Sequence, residues 1–395
     1  MILHRALSEL LAEGTRNGLT KPKRIRGTGV KMIGMGEIFA NSRIGNIEME
    51  RVPVTNKELE NYCVQPNDLL FARQSLKLEG AGKCSIIVAV NEPTVFESHL
   101  IRVRIDESVA NPVFVYYFFN SPFGHKYIMT IVEQVAAAGL RASDLVKLKV
   151  PCPNIEIQNK SAYLLKMIDD KIALNQQINK NLEEQAQAIY MDMLCENDCK
   201  AVELQELCTF QEGYVNPPQG NTEYFDGEVK WLRAVDINES YIINTSRTLT
   251  KEGFDSAKKS ALLFEPDTIA ISKSGTIGRL GIIGDYMCGN RAVINIKPQQ
   301  KEMLPFIYLY LKSRQREFAE LAVGSVQKNL YVSLLEPLIV MIPKKDVLQS
   351  FCENADRQFE MIKRNCLENE RLSQIRDALL PRLMSGEIDV SGIAI

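Results

Sequence analysis

The chain has few of the residues and motifs on which metal binding and catalysis usually depend. Its 395 residues include three His and one Trp. The nine Cys are scattered, and the nearest pair, Cys195 and Cys199, has no second pair at metal-ligand spacing. We therefore expect reduced, structural thiols and no bound metal. No GxxxxGK(S/T) phosphate-binding loop is present, and the acidic residues form no recognisable nuclease constellation, so we expect no catalytic residues.

Long apolar runs and an excess of charge are also missing. No run approaches the roughly 18 apolar residues that a membrane span needs. The amino terminus, MILHRALSELLAEG, carries acidic residues and no signal-peptide core, so we expect a cytoplasmic protein without a membrane partner. The formal net charge is −2, so a role with nucleic acid would require basic residues concentrated on one face or supplied by a partner.

Two long helical segments are the most prominent feature of the sequence. The first, Asn154 to Cys195, has no Gly or Pro, and its apolar residues recur at alternating steps of three and four. Its predicted seam is Leu165, Ile168, Ile172, Leu182, Ala186, Ile189 and Met193, with Asn175 and Asn179 at two polar positions.

A second segment of the same composition runs from Lys344 to Glu387. Its apolar positions include Phe351, Ala355, Ile362, Leu372, Ile375 and Leu379, with Asn365 and Asn369 among them. Because a buried Asn fixes the register between packed helices, we predict that the two segments pair lengthwise as an antiparallel coiled coil.

The regions before the two long helices repeat one order of motifs. VKMIGMGEI (30–38), PNDLLFARQS (66–75) and PVFVYYFFNS (112–121) correspond to VKWLRAVDI (229–237), PDTIAISKSGTIG (266–278) and PFIYLYLKS (305–313). In the first copy we predict a helical opening at 6–12, strands at 30–38, 69–75, 84–90 and 99–105, and a helix at 111–121. The hydrophobic pattern agrees between the copies, whereas the loops differ.

The predicted fold is therefore α+β, with two similar mixed α/β domains, two long antiparallel helices and a pseudo-twofold internal repeat. The expected segments are domains at 1–153 and 200–343, helices at 154–199 and 344–388, and a tail at 389–395. About 40 helical residues at ~1.5 Å rise span roughly 60 Å, or between one and two turns of B-DNA. Two similar domains held at a fixed separation are suited to a DNA target that consists of two separated parts.

In this organisation the chain resembles the specificity (S) subunit of type I restriction–modification enzymes, the HsdS family. The resemblance covers nearly the whole length. Its most specific pieces are ALLPRLMSGEI (378–388), the helix-start patterns Pro153 with Gln158 and Pro343 with Gln349, and the loops DTIAISKSGTIG and GSVQKNLYVSLL. The first copy departs from this pattern, because it has RQSLKLEGAGK in place of the SGTIG loop.

The resemblance implies a DNA-binding protein without catalysis of its own. In this family each target-recognition domain reads one half of a bipartite sequence in double-stranded DNA, and the paired helices set the gap and dock two modification (methyltransferase) subunits. Those partners use S-adenosylmethionine to methylate adenine, and restriction (motor-nuclease) subunits use ATP and Mg to translocate and cut. We therefore expect no cofactor in this chain itself.

In the second domain the candidate DNA-binding residues lie in the loops 272–276 and 324–329. They are Lys273, Ser274, Thr276, Gln327, Lys328 and Asn329. The lysines can meet phosphates, and Gln327 and Asn329 have the paired donor and acceptor that reads adenine in the major groove. A tight turn at Ser-Gly-Thr and a helix cap at Asn329 are equally open interpretations.

In the first domain the corresponding candidates are Arg73, Gln74, Arg141 and Ser143. Arg bidentate to guanine is the commonest specific contact, although a single Arg is more often a solvated surface residue. The basic residues Lys21, Lys23, Arg24 and Arg26 fit backbone contact, with a plain loop as the alternative.

Other functions remain open at this point. Asn216-Pro217-Pro218 is similar to the start of an amino-methyltransferase signature, but Gln219 follows it and no Gly-rich cofactor loop precedes it. An autonomous methyltransferase or nuclease would bind its cofactor or metal as an isolated chain. A coiled-coil scaffold would show no DNA preference, and a related recognition system could lack a motor subunit.

Overall fold

The computed structural model describes residues 3–75, 80–134, 138–324 and 328–393, with only the backbone for 134 and 138. The chain forms two compact units. Unit 1 is Met1–Asp170 with Leu372–Ile395, and unit 2 is Lys171–Arg371. Each unit therefore contains part of both long helices. None of the described helices is long and apolar enough to cross a membrane.

Unit 1 combines short strands with mostly short helices. Its strands are β1 (His4–Ala6), β2 (Arg16–Asn17), β3 (Val30–Ile33), β4 (Arg43–Ile44), β5 (Arg51–Val52), β6 (Leu69–Ala72), β7 (Gln74–Ser75), β8 (Cys84–Ile87), β9 (Thr94–Phe96), β10 (Leu100–Val103), β11 (Glu133–Gln134), β12 (Ala138–Gly139) and β13 (Lys149–Pro151). Its helices are α1 (Met35–Ala40), α2 (Asn56–Tyr62), α3 (Pro112–Asn120), α4 (Pro122–Met129), α5 (Ala142–Leu145), the first part of α6 (Ile155–Glu196) and the end of α12 (Lys345–Met384).

The central sheet of unit 1 has the order β2-β10-β6-β8-β4, and a second sheet has the order β5-β3-β9. All residues of β6 and β8 are buried, which explains their continuous apolar sequence. Helix α3 covers the sheet with an almost wholly buried surface. It begins with Pro112 in its first turn, and Asn111 accepts a hydrogen bond from the Phe114 amide as its cap.

Unit 2 has a similar but not identical set of elements. Its strands are β14 (Lys200–Glu203), β15 (Cys208–Glu212), β16 (Phe225–Leu232), β17 (Tyr241–Ile242), β18 (Thr248–Leu249), β19 (Leu263–Phe264), β20 (Ile269–Ser272), β21 (Leu280–Ile283), β22 (Met287–Gly289), β23 (Val293–Pro298) and β24 (Ile339–Ile342). Its helices are α7 (Leu204–Leu207), α8 (Lys251–Asp255), α9 (Leu304–Ser313), α10 (Phe318–Leu321), α11 (Val332–Leu335), the remainder of α6 and most of α12 (Lys345–Met384).

The five-stranded sheets of the two units have the same connectivity. In unit 2 the five-stranded sheet has the order β15-β23-β20-β21-β17, in which each strand takes the place of its counterpart in unit 1. The β4–β8 and β17–β21 pairs are both parallel, and the β6–β8 and β20–β21 pairs are both antiparallel. The predicted α+β fold with an internal repeat is confirmed.

The polar seam of the long helices is confirmed in unit 2. Asn175 is fully buried, and its Nδ2 donates to Glu368 Oε2 at 2.7 Å and to Asn369 Oδ1 at 2.9 Å. The Asn365 amide donates to Asn179 Oδ1 at 2.7 Å. Residue numbers rise along α6 as they fall along α12, so the two helices are antiparallel in this unit.

Two predicted seam residues are wrong. Ile189 is 49% exposed and Ile375 is 41% exposed. In unit 2 the buried position belongs to Tyr190, whose ring lies 5.3 Å from the Phe306 ring and 6.0 Å from the Phe351 ring. Here α6 also packs against α9, so its buried face is wider than a strict two-helix seam.

One predicted element in the first copy is also wrong, and the helical opening at 6–12 is confirmed only in part. The segment 30–38 is not one strand, because β3 ends at Ile33 and α1 begins at Met35. The Gly34 and Met35 amides donate to the carboxylates of Glu37 and Glu97, which supports this helix start. The segment 6–12 begins with the end of β1, which pairs with the distant strand β13, and continues as a single 3₁₀ turn at Leu7–Leu10.

Candidate nucleic-acid interface

The two predicted recognition loops of unit 2 lie side by side. The Leu330 amide donates to the Lys273 carbonyl oxygen at 2.9 Å. Val323 and Asn329 form an isolated β-bridge, with hydrogen bonds of 3.0 and 2.9 Å, which closes the second loop. Residues that are about 50 positions apart in the sequence therefore share one surface.

The turn after β20 is tightly built. Ser272 Oγ accepts from the Arg279 amide at 2.8 Å and donates to the Thr276 carbonyl oxygen. Gly275 and Gly278 have φ values of +76° and +85°, which favour glycine. The tight-turn interpretation thus describes the local structure, and it leaves Thr276 exposed and Ser274 half-buried at the surface.

The polar side chains of these loops differ in their exposure and in their partners within the chain. Lys273 Nζ bonds Glu212 Oε1 at 2.8 Å and lies 4.9 Å from the centre of the Tyr331 ring. Lys328 is exposed, Asn329 is half-buried, and Gln327 lies outside the described residues. The cap of α11 is Tyr331 and not Asn329, so the helix-cap alternative for Asn329 is wrong.

The corresponding residues of unit 1 are brought together by the same backbone contact. The Leu140 amide donates to the Arg73 carbonyl oxygen at 2.8 Å, as Leu330 does to Lys273. Strands β7 and β12 then pair Gln74 with Gly139. The predicted group of Arg73, Gln74, Arg141 and Ser143 therefore occupies one region.

Hydrogen bonds restrain some of these side chains. Gln74 Oε1 lies 3.0 Å from His99 Nδ1, and Arg141 donates to Glu133 Oε2 at 2.7 Å. The Arg141 side chain is 68% exposed, so its ion pair with Glu133 is weak and can exchange for another anion. Ser143 is exposed on α5, and Arg73 is half-buried.

The basic run near the amino terminus divides into two kinds of residue. Lys21 Nζ bonds Glu58 at 2.8 Å and Arg26 bonds Glu50 at 2.7 Å, so these two cations are paired within the chain. The hydrogen bond from Lys21, with that from the Thr55 amide, lowers the pKa of Glu58. Lys23 and Arg24 are exposed on a 3₁₀ turn and are the freer candidates for phosphate contact.

Sequence reasoning missed an aromatic residue beside the unit 2 loops. Tyr331 is 40% exposed and lies next to Lys273, where an exposed ring and a cation share one surface. The signal was available in NLYVSLL, in which Tyr331 directly precedes α11. Nothing in the sequence pattern indicated that Lys273 would contact it.

A family model describes both halves of the chain. The model of the type I restriction modification DNA specificity domain matches residues 7–184 and again residues 196–377. The chain belongs to this specificity family. The resemblance to type I S subunits inferred from the sequence is confirmed. The two matched regions also agree with the internal repeat that the order of motifs predicted.

Curated members of the family are similar over most of their length. The HindI specificity subunit of Haemophilus influenzae is 22% identical over an alignment of 374 residues. The alignment covers 74% of this chain and 81% of that protein. The MjaIX specificity subunit of Methanocaldococcus jannaschii is 25% identical over 344 residues, covering 81% and 79%.

A solved structure has the same fold. The type I restriction-modification system S subunit from M. genitalium aligns with 97% of this chain and 96% of its own, with a TM-score of 0.57 and 16% sequence identity. At this identity the likeness concerns the fold of the specificity family and not individual contacts.

Proposed function

We propose that this chain is the sequence-specific DNA-binding subunit of a type I restriction–modification complex, in which each unit reads one half of a bipartite target. One observation carries the proposal. The paired loops recur on the same sheet scaffold, held by the same backbone hydrogen bond at Arg73 and at Lys273, whereas their side chains differ. Two domains with the same sheet and different loop side chains are suited to bind two different DNA sequences.

The long helices have two roles in this proposal. They set the gap between the half-sites, and their outer faces dock two methyltransferase subunits that carry S-adenosylmethionine. Restriction subunits that use ATP and Mg complete the complex. The chain itself is the non-catalytic, cytoplasmic member, and partner subunits supply much of the contact with phosphate, which fits the net charge of −2.

A domain exchange tests the division of labour. Residues 1–153 are replaced with the same region of another family member, and the methylated sequence is read by long-read methylome sequencing. We expect one half-site to change while the other half-site and the gap stay the same. A change in both half-sites would contradict the assignment of one reader to each unit.

The role of the helices has its own test. One heptad is inserted after Asp170 in α6 and a matching heptad after Arg371 in α12, so that the contacts within each unit are kept. Seven residues at ~1.5 Å add about 10 Å, or about three base pairs at ~3.4 Å. We expect a longer gap between unchanged half-sites, and altered bases within a half-site would contradict the proposal.

A further inference from the structure

The hairpin that carries the first recognition loop has the same base in both units. In unit 1 the Gly82 amide donates to the Ala72 carbonyl oxygen at 2.8 Å, and the Ala72 amide donates to the Lys83 carbonyl oxygen at 2.9 Å. In unit 2 the same two bonds join Gly278 to Ser272 at 3.0 Å and Ser272 to Arg279 at 2.9 Å.

The glycine of each hairpin has a left-handed backbone conformation, with φ of +77° at Gly82 and +85° at Gly278. The residues between the paired positions are 73–81 in unit 1 and 273–277 in unit 2. The loops therefore differ in length and sequence, whereas the hairpin base is kept. A cation follows the glycine in both copies, Lys83 in GKCSII and Arg279 in GRLGII.

These two cations differ from Lys273 in the charged groups around them. Both are half-buried, and within the described part of the chain neither has a carboxylate at ion-pair distance. In contrast, Lys273, the first residue of the unit 2 loop, is paired with Glu212 at the end of β15. A half-buried charge without a counter-charge is costly in free energy, so an anion that arrives from outside would stabilise it.

The surroundings of Lys83 leave donors available for such an anion. Its ammonium has three donors, and one of them bonds the Phe39 carbonyl oxygen at 2.7 Å. Burial lowers the pKa of Lys83, because it penalises the charged ammonium. Lys83 also lines a small surface pocket of about 160 Å³ together with Asn120 and His125, whose side chains can donate hydrogen bonds.

We propose that Lys83 and Arg279 each bind one backbone phosphate of DNA, at equivalent places in the two half-sites. The inference rests on the proposed function and adds a sequence-independent contact to it. Two half-sites of different sequence still have the same phosphate backbone. A cation that occurs at the base of both loops is therefore suited to contact a phosphate. The loops above it read the bases.

The test compares Lys83→Gln, Arg279→Gln and the double variant with the wild type. Each full chain is assembled with co-expressed methyltransferase subunits, and its Kd for a cognate duplex and a scrambled duplex is measured over a series of salt concentrations. The matched control is Lys301→Gln, which removes an exposed positive charge near the start of α9. Arg279 lies at the other end of this helix, because its neighbour Gly278 approaches Gln315 just beyond the helix end.

We expect each substitution to reduce the slope of log Kd against log salt by about 0.9, the value for one lost phosphate contact on duplex DNA. Affinity should fall by the same factor for both duplexes, so their ratio stays constant. Lys83→Arg and Arg279→Lys should keep the wild-type slope, which separates loss of charge from misfolding. Lys301→Gln should change neither quantity.

An unchanged slope in the double variant would overturn the inference, as would a loss confined to the cognate duplex. If the wild-type complex binds DNA without sequence preference, the proposed function fails, while the salt slopes still decide the phosphate contacts. If it binds no DNA at all, both fail.

Discussion

A buried carboxylate joins the first recognition domain to the long helices of unit 1, and its removal should have a measurable cost. Asp169 on α6 is 9% exposed. Its Oδ2 accepts from the Tyr117 hydroxyl at 2.6 Å, and its Oδ1 accepts from Arg376 at 2.8 Å. Burial and the Asp169 carboxylate both raise the pKa of Tyr117, so this hydroxyl keeps its proton and acts as the donor. The perturbation is Asp169→Asn, which keeps the shape and removes the charge.

The contacts determine the expected magnitude. Hydrogen bonds to a charged group contribute about 1.5–3 kcal/mol, and a fully buried ion pair that loses one partner costs about 3–5 kcal/mol. Arg376 is 29% exposed and also bonds Asp377 at 2.8 Å, so its charge is only partly uncompensated. We therefore expect unit 1 to lose about 2 kcal/mol in Asp169→Asn. Tyr117→Phe removes a single hydrogen bond to this carboxylate and should cost about 1.5 kcal/mol.

The assay must report on unit 1 alone. The single tryptophan, Trp231, lies in unit 2, so its fluorescence is unsuitable for this purpose. Hydrogen exchange followed by mass spectrometry of peptides that cover α3 reads the right region. A loss of about 2 kcal/mol corresponds to roughly 30-fold faster exchange of amides that open with the unit.

The neighbouring Asp170 is the matched control. It is a carboxylate with a 45% exposed side chain, and its pairs with Arg43 and Lys166 should contribute about 0–1 kcal/mol. If Asp169→Asn accelerates exchange in α3 no more than Asp170→Asn does, the buried network is not what holds this helix, and the reasoning is refuted.

Two further predictions concern unit 2, where Trp231 fluorescence in urea is the measurement. In Gly278→Ala the new Cβ would lie 3.0 Å from Phe318 Cβ at a φ of +85°, and unit 2 should lose about 2 kcal/mol of stability. In Gly275→Ala, at a φ of +76°, the new Cβ meets no atom within 4 Å, and the loss should be about 1 kcal/mol. Equal losses of stability in the two variants would contradict this reasoning. Burial, then Glu302 and Glu360, raise the pKa of Asp356 from 3.8 to about 6, so its protonated form favours folding at low pH and this stability is lost as the pH rises through about 6. After allowance for solvent screening, Asp356→Asn should stabilise unit 2 by about 1 kcal/mol near pH 8 and by almost nothing near pH 4, and an equal gain at both would refute the assignment.

The sequence was most informative where the signal was periodic and local. The three-four spacing predicted both long helices within a few residues, and the Asn residues among the apolar positions predicted that the helices pair. The order of motifs predicted the repeat, and the structure brings the paired loops together in both copies. Each of these inferences depends on patterns within a short window or on the comparison of one copy with the other.

The failures arose where distant parts of the chain meet. Strand β1 exists because it pairs with β13, and Ile189 is exposed because Tyr190 packs against Phe306 and Phe351. Residues that match between the two copies in the sequence can also make different contacts in the structure. Gln158 is buried and bonds the Pro153 carbonyl oxygen and the Asn111 amide, whereas Gln349 is exposed and bonds only its neighbour Glu353 among the described residues.

The candidate site was predictable in position but not in detail. Lys21, Arg26 and Lys273 looked available in the sequence, yet they are paired with Glu58, Glu50 and Glu212, which lie 24 to 61 residues away. Lys83 and Arg279 were missed because their equivalence is visible only once the hydrogen bonds at the hairpin base are known. Under the proposed function, the bases that each loop would read depend on loop geometry and DNA shape as well as on residue type.

Methylome sequencing of a host with and without this gene, in the presence of the proposed methyltransferase partner, tests the central claim most directly. The claim predicts one methylated motif with two unlike half-sites at a fixed gap, which disappears when the gene is deleted. A continuous motif, two identical half-sites or an unchanged methylome would contradict it.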